Sequence, residues 1–182
     1  MRGKLFVISG PSGSGKSTIC KELEKEENIK ISISATTRPM RKGEEEGVNY
    51  YFLSNEEFQK RIKKKAFYEF ASVFNHYYGT LKEKVDEMLD GGYNVILEID
   101  VQGAMQIKRQ NDKAILIFIM PPSEEELIER LTNRKTESDE QLKLRIATAK
   151  EEILFKNKYD YIVVNDDINR AANEIKDIIN NN

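Results

Sequence analysis

Apolar residues fall along this chain in two kinds of run. Leu5-Phe6-Val7-Ile8, Val95-Ile96-Leu97 and Ile115-Leu116-Ile117-Phe118-Ile119 are unbroken and have no polar face. That is the pattern of strands buried on both sides in a parallel sheet. Elsewhere apolar residues recur every three or four positions. Examples are Ile19 and Leu23; Leu81, Val85, Met88 and Leu89; Leu127, Ile128 and Leu131; Leu142, Ile146, Ile153 and Leu154; and Ile168, Ala171, Ala172, Ile175, Ile178 and Ile179. This spacing predicts amphipathic helices. Strands are expected over Lys4–Ser9, Ile29–Ser34, Asn94–Asp100, Ala114–Met120 and Tyr159–Val164, with helical sequence between them. The first helix is expected to start at Lys16 and end near Glu26–Asn28. Such alternation predicts an α/β fold with a parallel sheet covered by helices on both faces.

Residues 34–90 depart from that alternation. Thr36 to Gly43 is polar, basic and broken by Pro39 and Gly43, and reads as a loop. Asn49–Leu53 is a short aromatic strand, and Ser54 with Glu57 forms a capping box opening a helix that turns Phe58 and Ile62 inward. Lys63-Lys64-Lys65 is a solvated helix end. Two strands, Phe67–Phe74 and Tyr77–Thr80, flank a turn at Asn75-His76, and the helix Leu81–Asp90 is stopped by Gly91-Gly92. The stretch is too rich in strands and aromatics for a simple crossover, so it reads as an inserted subdomain. Further on, Ser123 caps the helix of Leu127, Thr132–Asp139 is a polar break, and Ser138 with Gln141 caps the next helix.

The 182 residues support one sizeable core with small inserted units. Basic and acidic residues number 29 and 31, and a net charge of −2 argues against bulk nucleic-acid binding. Cys20 is the single cysteine, so neither an intrachain disulfide nor a cysteine metal site can form, and helix packing is its expected role. No apolar run is long enough to span a bilayer, and the chain enters a strand within a few residues instead of forming a signal peptide. A soluble cytoplasmic protein without membrane partners is expected.

The stretch that most changes the picture is Gly10-Pro11-Ser12-Gly13-Ser14-Gly15-Lys16-Ser17, placed between a buried strand and a helix. Glycines let successive N–H groups point inward around a phosphate, and the helix adds its positive dipole end. Lys16 can then reach the β- and γ-phosphates, and the Ser17 hydroxyl can take a position on Mg²⁺. Asp100, at the carboxyl end of a strand beside the first, suits Mg²⁺ and its waters; Glu98 lies on the same face but deeper. Arg38 and Arg41 could grip a second phosphate with their guanidinium forks, although alone the pair reads as solvated charge. Arg130, Arg134 and Arg145 flank the polar break, where they could neutralise transferring phosphoryl charge. His76, the only histidine, reads as a packing or surface residue.

Together these stretches resemble the guanylate kinase family. The resemblance runs through Gly10–Ser17, Ser34-x-x-Thr37-Arg38-x-x-Arg41-x-Gly43-Glu44-x-x-Gly47, Tyr50-x-Phe52, Glu69-Phe70, Tyr78-Gly79-Thr80 and Ile99-Asp100-Val101-Gln102-Gly103-Ala104. It continues in Pro121-Pro122-Ser123, Arg130-Leu131-x-x-Arg134 and Tyr159-Asp160-Tyr161-x-Val163-Val164-Asn165-Asp166. It implies one domain over 1–182, with a P-loop kinase core (1–33 and 91–182), a mixed α+β GMP-binding subdomain (34–90) and a helical lid (123–147). It further implies ATP-dependent, Mg²⁺-assisted phosphorylation of GMP, with dGMP as a related substrate. By similarity, ATP would be held by Gly10 to Ser17, Thr18 and Asn165. Arg38, Arg41, Tyr50 and Tyr78 would hold the GMP phosphate, and Ser34, Glu69 and Thr80 would read the guanine. Lys16, with Arg38, Arg134 and Arg145, would stabilise the transferring group, and Ser17 and Asp100 would serve the metal, Asp100 also contacting GMP. Two positions depart from the family pattern: Lys135 stands where glycine is common, and Glu98 where some members carry aspartate. Other readings are a kinase for a different nucleoside monophosphate and a guanylate-kinase-like protein-binding module without catalysis, which the intact Lys16 and Ser17 weigh against.

Overall fold

At the centre of the structure, strand β1 (Leu5–Ser9) is hydrogen-bonded on both sides within a five-stranded parallel sheet. The computed structural model describes residues 1–73, 75–133 and 138–182. The sheet order is β2 (Ile29–Ile31), β7 (Asn94–Glu98), β1, β8 (Ile115–Met120), β9 (Tyr161–Val164). Val7 stands opposite Leu97 on one side and Leu116 on the other. Alternation along β1 divides the core in two. Phe6 and Ile8 pack with α1 (Lys16–Leu23) and α7 (Ile168–Asn181). Leu5 and Val7 pack with α3 (Lys82–Asp90) and α4 (Val101–Gln110). α7 buries Ala171, Ala172, Ile175 and Ile179, a stripe of three- and four-residue steps, as its periodicity predicts.

A second sheet lies in residues 35–81, in the order β4 (Tyr51–Phe52), β3 (Ala35–Thr36), β6 (His76–Leu81), β5 (Phe67–Val73). The helix α2 (Asn55–Lys63) closes its small core by stacking Phe58 on Phe67 and Tyr77, at centroid distances of 4.3 and 5.3 Å. Ser54 caps α2 by accepting the Glu57 N–H. Beyond β8, α5 (Glu124–Thr132) and α6 (Asp139–Ile153) pack Leu127 and Leu131 against Ala149, with Leu142 and Ile146 beside them. The Ser138/Gln141 capping box is present in both directions.

Several expected boundaries shift for local reasons. α1 stops at Leu23, its last inward residue, short of Glu26–Asn28, and the chain turns through a Glu26 N–H to Leu23 carbonyl bond of 3.1 Å. β2 ends at Ile31 because the chain then leaves for the second sheet; Ser32 adds one last bond to Ile96. Thr36, expected in a loop, is a buried strand residue whose hydroxyl donates to the Tyr77 carbonyl at 3.0 Å. His76 opens β6, and Asn75 before it takes the left-handed turn conformation, φ 65°. Leu154 is exposed and begins a 3₁₀ turn (Leu154–Lys158) instead of facing inward from α6. The expected strand end at Phe74 lies outside the described residues.

Candidate active site

The loop between β1 and α1 curls as its glycines permit. Gly15 has φ +88°, and a Cβ there would lie 2.3 Å from Asn165 Nδ2; at Gly10, φ +156°, it would lie 2.3 Å from the Ile119 carbonyl oxygen. Only glycine fits either place. Lys16 Nζ donates to the loop's own carbonyls, Gly10 at 2.5 Å and Pro11 at 3.3 Å, so the ammonium is held over the loop by its backbone. Burial lowers the Lys16 pKa, and the carboxylates of Glu152 and Glu98 oppose that shift. Asn165, buried at the end of β9, donates to the Ser14 carbonyl at 2.8 Å and so braces the loop. It also lines a cleft of about 460 Å³ with Gly13, Gly15, Arg130 and Ile168. Arg130 is tied to Glu126 and to the Asn165 carbonyl.

At the first turn of α1, the Ser17 hydroxyl donates to Glu98 Oε1 at 2.5 Å. Asp100 instead caps α4, its Oδ1 accepting the Gly103 N–H at 2.7 Å. The pairing with Ser17 therefore goes to the deeper strand residue. Among the described residues no group of three histidine, cysteine or acidic side chains is arranged to hold a metal ion by itself. Cys20 is buried in the α1 face and its thiol is pushed up by burial, consistent with packing.

From α6, Arg145 Nη2 donates to Ser12 Oγ at 2.6 Å. Two turns on, Glu152 takes a backbone hydrogen bond from Ser12, and burial raises its pKa while Lys16 opposes the rise. The sequence reading missed Glu152. Its signal was the seven-residue step from Arg145, which places both on one helix face. Arg134 and Lys135 lie outside the described residues.

Across the sheet edge, a second cationic cradle is built from side chains. Arg38 Nη1 and Nη2 donate to the two oxygens of Glu44 at 3.0 and 2.7 Å. The guanidinium lies over the rings of Tyr50 and Phe52, 5.4 and 5.9 Å from their centroids, and Tyr50 meets Tyr78 edge-on at 6.0 Å. Arg41 is exposed at the tip of the loop. Arg38, Tyr50 and Tyr78 are thus brought together, and Arg41 stands beside them through its backbone bond to Glu44.

Next to this cradle, a cleft of about 270 Å³ is lined by Ser34, Glu69, Tyr78, Gly79, Glu98 and Asp100. Glu69 reaches it through a register shift in β5: Phe67 pairs with Leu81, but Glu69 pairs with Thr80. Alternation puts Phe67 and Glu69 on one buried face, and the irregularity sets Glu69, in place of Tyr68, against Thr80, whose hydroxyl donates to Glu69 Oε1 at 2.7 Å. Thr80 sits behind the carboxylate and is 1% exposed. Gly103 makes room for the carboxylate, since a Cβ there would lie 3.0 Å from Glu69 Oε2. Burial raises the Glu69 pKa to about 7; the Thr80 hydroxyl opposes the rise and the charge of Asp100 adds to it.

The arrangement offers two anion cradles with a buried carboxylate beside the second. The family described as guanylate kinase matches residues 2–182. A curated guanylate kinase from Caldanaerobacter subterraneus subsp. tengcongensis is 52% identical over 98% of this chain and 87% of its own length. Another, from Fusobacterium nucleatum subsp. nucleatum, is 46% identical over 98% of this chain and 97% of its own. Among solved structures, guanylate kinase from Anaplasma phagocytophilum superposes with a TM-score of 0.76 at 37% identity, covering 98% of this chain and 85% of that one. With the site geometry and these likenesses extending over nearly its whole length, the chain belongs to the guanylate kinase family.

Proposed function

We propose that the chain catalyses ATP-dependent phosphorylation of GMP to GDP. The observation that carries this reading is Glu69: a buried carboxylate on a cleft shared with Asp100, whose charge is felt at both Glu69 and Lys16. An ionised carboxylate offers two acceptors to guanine N1–H and the 2-amino group. Adenine presents neither donor on that edge and would leave a desolvated carboxylate unpaired. The intact P-loop favours a kinase over a binding-only module, and the guanine-reading set disfavours other monophosphates.

In this reading residues 34–90 form the GMP-binding subdomain, 123–147 the lid, and 1–33 with 91–182 the core. ATP phosphates lie in the loop from Gly10 to Ser17, with Thr18 at its end and Asn165 bracing it. Arg38, Arg41, Tyr50 and Tyr78 hold the GMP phosphate, and Ser34, Glu69 and Thr80 fix the base. A GMP phosphate oxygen attacks the γ-phosphorus in line, and the bond to the β–γ bridging oxygen breaks so that ADP leaves with that oxygen. The attacking oxygen is already an anion near neutral pH, so no general base is required. Lys16, Arg38 and Arg145, with Arg134 from the lid, spread the developing charge. Closure over the nucleotides excludes water as a competing acceptor.

The Ser17 hydroxyl and the Glu98 carboxylate are adjacent oxygen donors, and Asp100 lines a cleft with Glu98, so these are the residues that would hold Mg²⁺. When bound, Mg²⁺ neutralises charge across the β- and γ-phosphates. No helix among the described residues is long and apolar enough to cross a membrane, and a cytoplasmic location accompanies the reading. Coupled ADP release with GMP, AMP, UMP and dTMP as acceptors tests it. Turnover should be confined to GMP and dGMP-like acceptors, and turnover favouring AMP would overturn the assignment.

A further inference from the structure

Glu44 is an acidic residue inside a cradle meant for an anion, and simple charge repulsion would make it a liability there. Its bonding argues otherwise. Residues 41–44 form a tight turn in which Glu44 N–H donates to the Arg41 carbonyl at 3.1 Å and Gly43 takes φ +89°. The turn folds the Glu44 side chain back, so Oε2 accepts the Arg41 N–H at 2.7 Å while both oxygens accept from Arg38. Arg38 Nη1 also donates to the Pro39 carbonyl at 2.8 Å. These bonds use both Nη1 protons and one of the two on Nη2. They engage the end of the guanidinium and leave its long edge, Nε–H with the second Nη2 proton, as the pair that can meet a phosphate bidentately. With those three protons taken, the Tyr78 hydroxyl, which also hydrogen-bonds the guanidinium, lies on this same edge, so an incoming phosphate meets Arg38 and Tyr78 together. The Arg38 and Glu44 side chains are only 10% and 18% exposed, so the fork is held in one orientation with little solvent competition.

We propose that Glu44 is a positioning residue for the monophosphate: it grips the end of Arg38 so that the guanidinium presents its Nε–Nη2 edge to the acceptor's phosphate. This rests on the GMP-kinase reading above. Preorganising a long side chain removes ordering that the substrate would otherwise have to supply on binding. A carboxylate in the anion site should therefore raise affinity for an anion. The contrary view, in which Glu44 is merely an anion competing for Arg38, makes the opposite prediction.

The test is Glu44→Gln, which keeps an oxygen for the Arg41 N–H but brings an amide NH₂ against Arg38. The KM for GMP should rise about tenfold or more, while the KM for ATP changes by no more than about twofold. Reversible destabilisation would raise the KM for GMP and the KM for ATP alike, so the unchanged KM for ATP separates a positioning effect from partial unfolding. In an Arg38→Ala background, Glu44→Gln should change kcat/KM for GMP by less than about twofold, because the route through Arg38 is gone. A KM for GMP that is unchanged or lower, or an equal effect in both backgrounds, would overturn the positioning role. A wild-type enzyme that fails to turn over GMP would instead remove the functional reading beneath it.

Discussion

At the P-loop, eight consecutive residues supply both the backbone donors and the lysine, and Lys16 is held by main-chain carbonyls of the same loop. The cradle around Arg38 draws Arg38 and Glu44 from one loop, Tyr50 from beside β4 and Tyr78 from β6, and no backbone curl defines it. The first cradle is set by local conformation, because glycine positions and a helix start suffice. The second exists only after β3, β4, β5 and β6 have paired. One consequence is chemical: in the proposed reading the P-loop meets only phosphates, whereas the assembled cradle sits next to Glu69 and can be selective. Another is thermodynamic: the second site carries a buried carboxylate, a feature that works against stability.

The largest effect should come from breaking the first cradle. Lys16→Met removes the loop's ammonium, proposed to stabilise the transferring group, and kcat should fall on the order of 10³-fold. GMP affinity, measured by calorimetry, should stay within about threefold, since the second cradle does not use Lys16.

Glu69→Gln breaks the second cradle's selectivity. kcat/KM for GMP should fall about 10²-fold or more in the coupled assay, with the KM for ATP unchanged. The same substitution should stabilise the fold at high pH. Glu69 titrates at about 7 in the folded protein, above the ordinary carboxylate value, so the folded state binds its proton more tightly than the unfolded chain does. That contribution is complete below the unfolded value and is lost as pH rises through about 7. At pH 8 the wild type bears the whole penalty, and Glu69→Gln should gain about 1–3 kcal/mol in denaturant unfolding. At pH 4 the gain should vanish.

A smaller effect follows in the pH profile. Guanine needs the ionised carboxylate, so GMP binding should weaken about tenfold from pH 8 to pH 6. About twofold more comes from the phosphate's own second ionisation near pH 6. In Glu69→Gln only the twofold component should remain. The smallest change returns to the P-loop. Asn165→Ala removes the brace on the Ser14 carbonyl and should raise the KM for ATP a few-fold while leaving that for GMP unchanged.

The same contrast explains what could be seen in the sequence. The parallel core was legible because unbroken runs such as Val95-Ile96-Leu97 carry their burial in the residues themselves, and the P-loop because its residues are contiguous. The ends of α1 and β2 were not, since packing and the exit to the second sheet decide them, not propensity. Asp100 and Glu98 could both be marked as candidates, but strand alternation alone could not say which would meet Ser17; the register of β1 with β7 does. The shift in β5 that sets Glu69 opposite Thr80 leaves no local trace, because it is a property of the pairing with β6. Glu44 and Glu152 drew no role from their own positions, since each acts through a residue that folding brings to it.

The central claim is that a carboxylate on β5 recognises the two hydrogens that guanine donates. Calorimetric titration of GMP and IMP at pH 8 tests it most directly, because IMP differs only by lacking the 2-amino group. Wild-type protein should bind GMP about tenfold or more tighter than IMP, as expected for one hydrogen bond to a charged acceptor, and the gap should close in Glu69→Gln. Equal affinity for the two nucleotides in the wild type, or a gap that survives in Glu69→Gln, would contradict it.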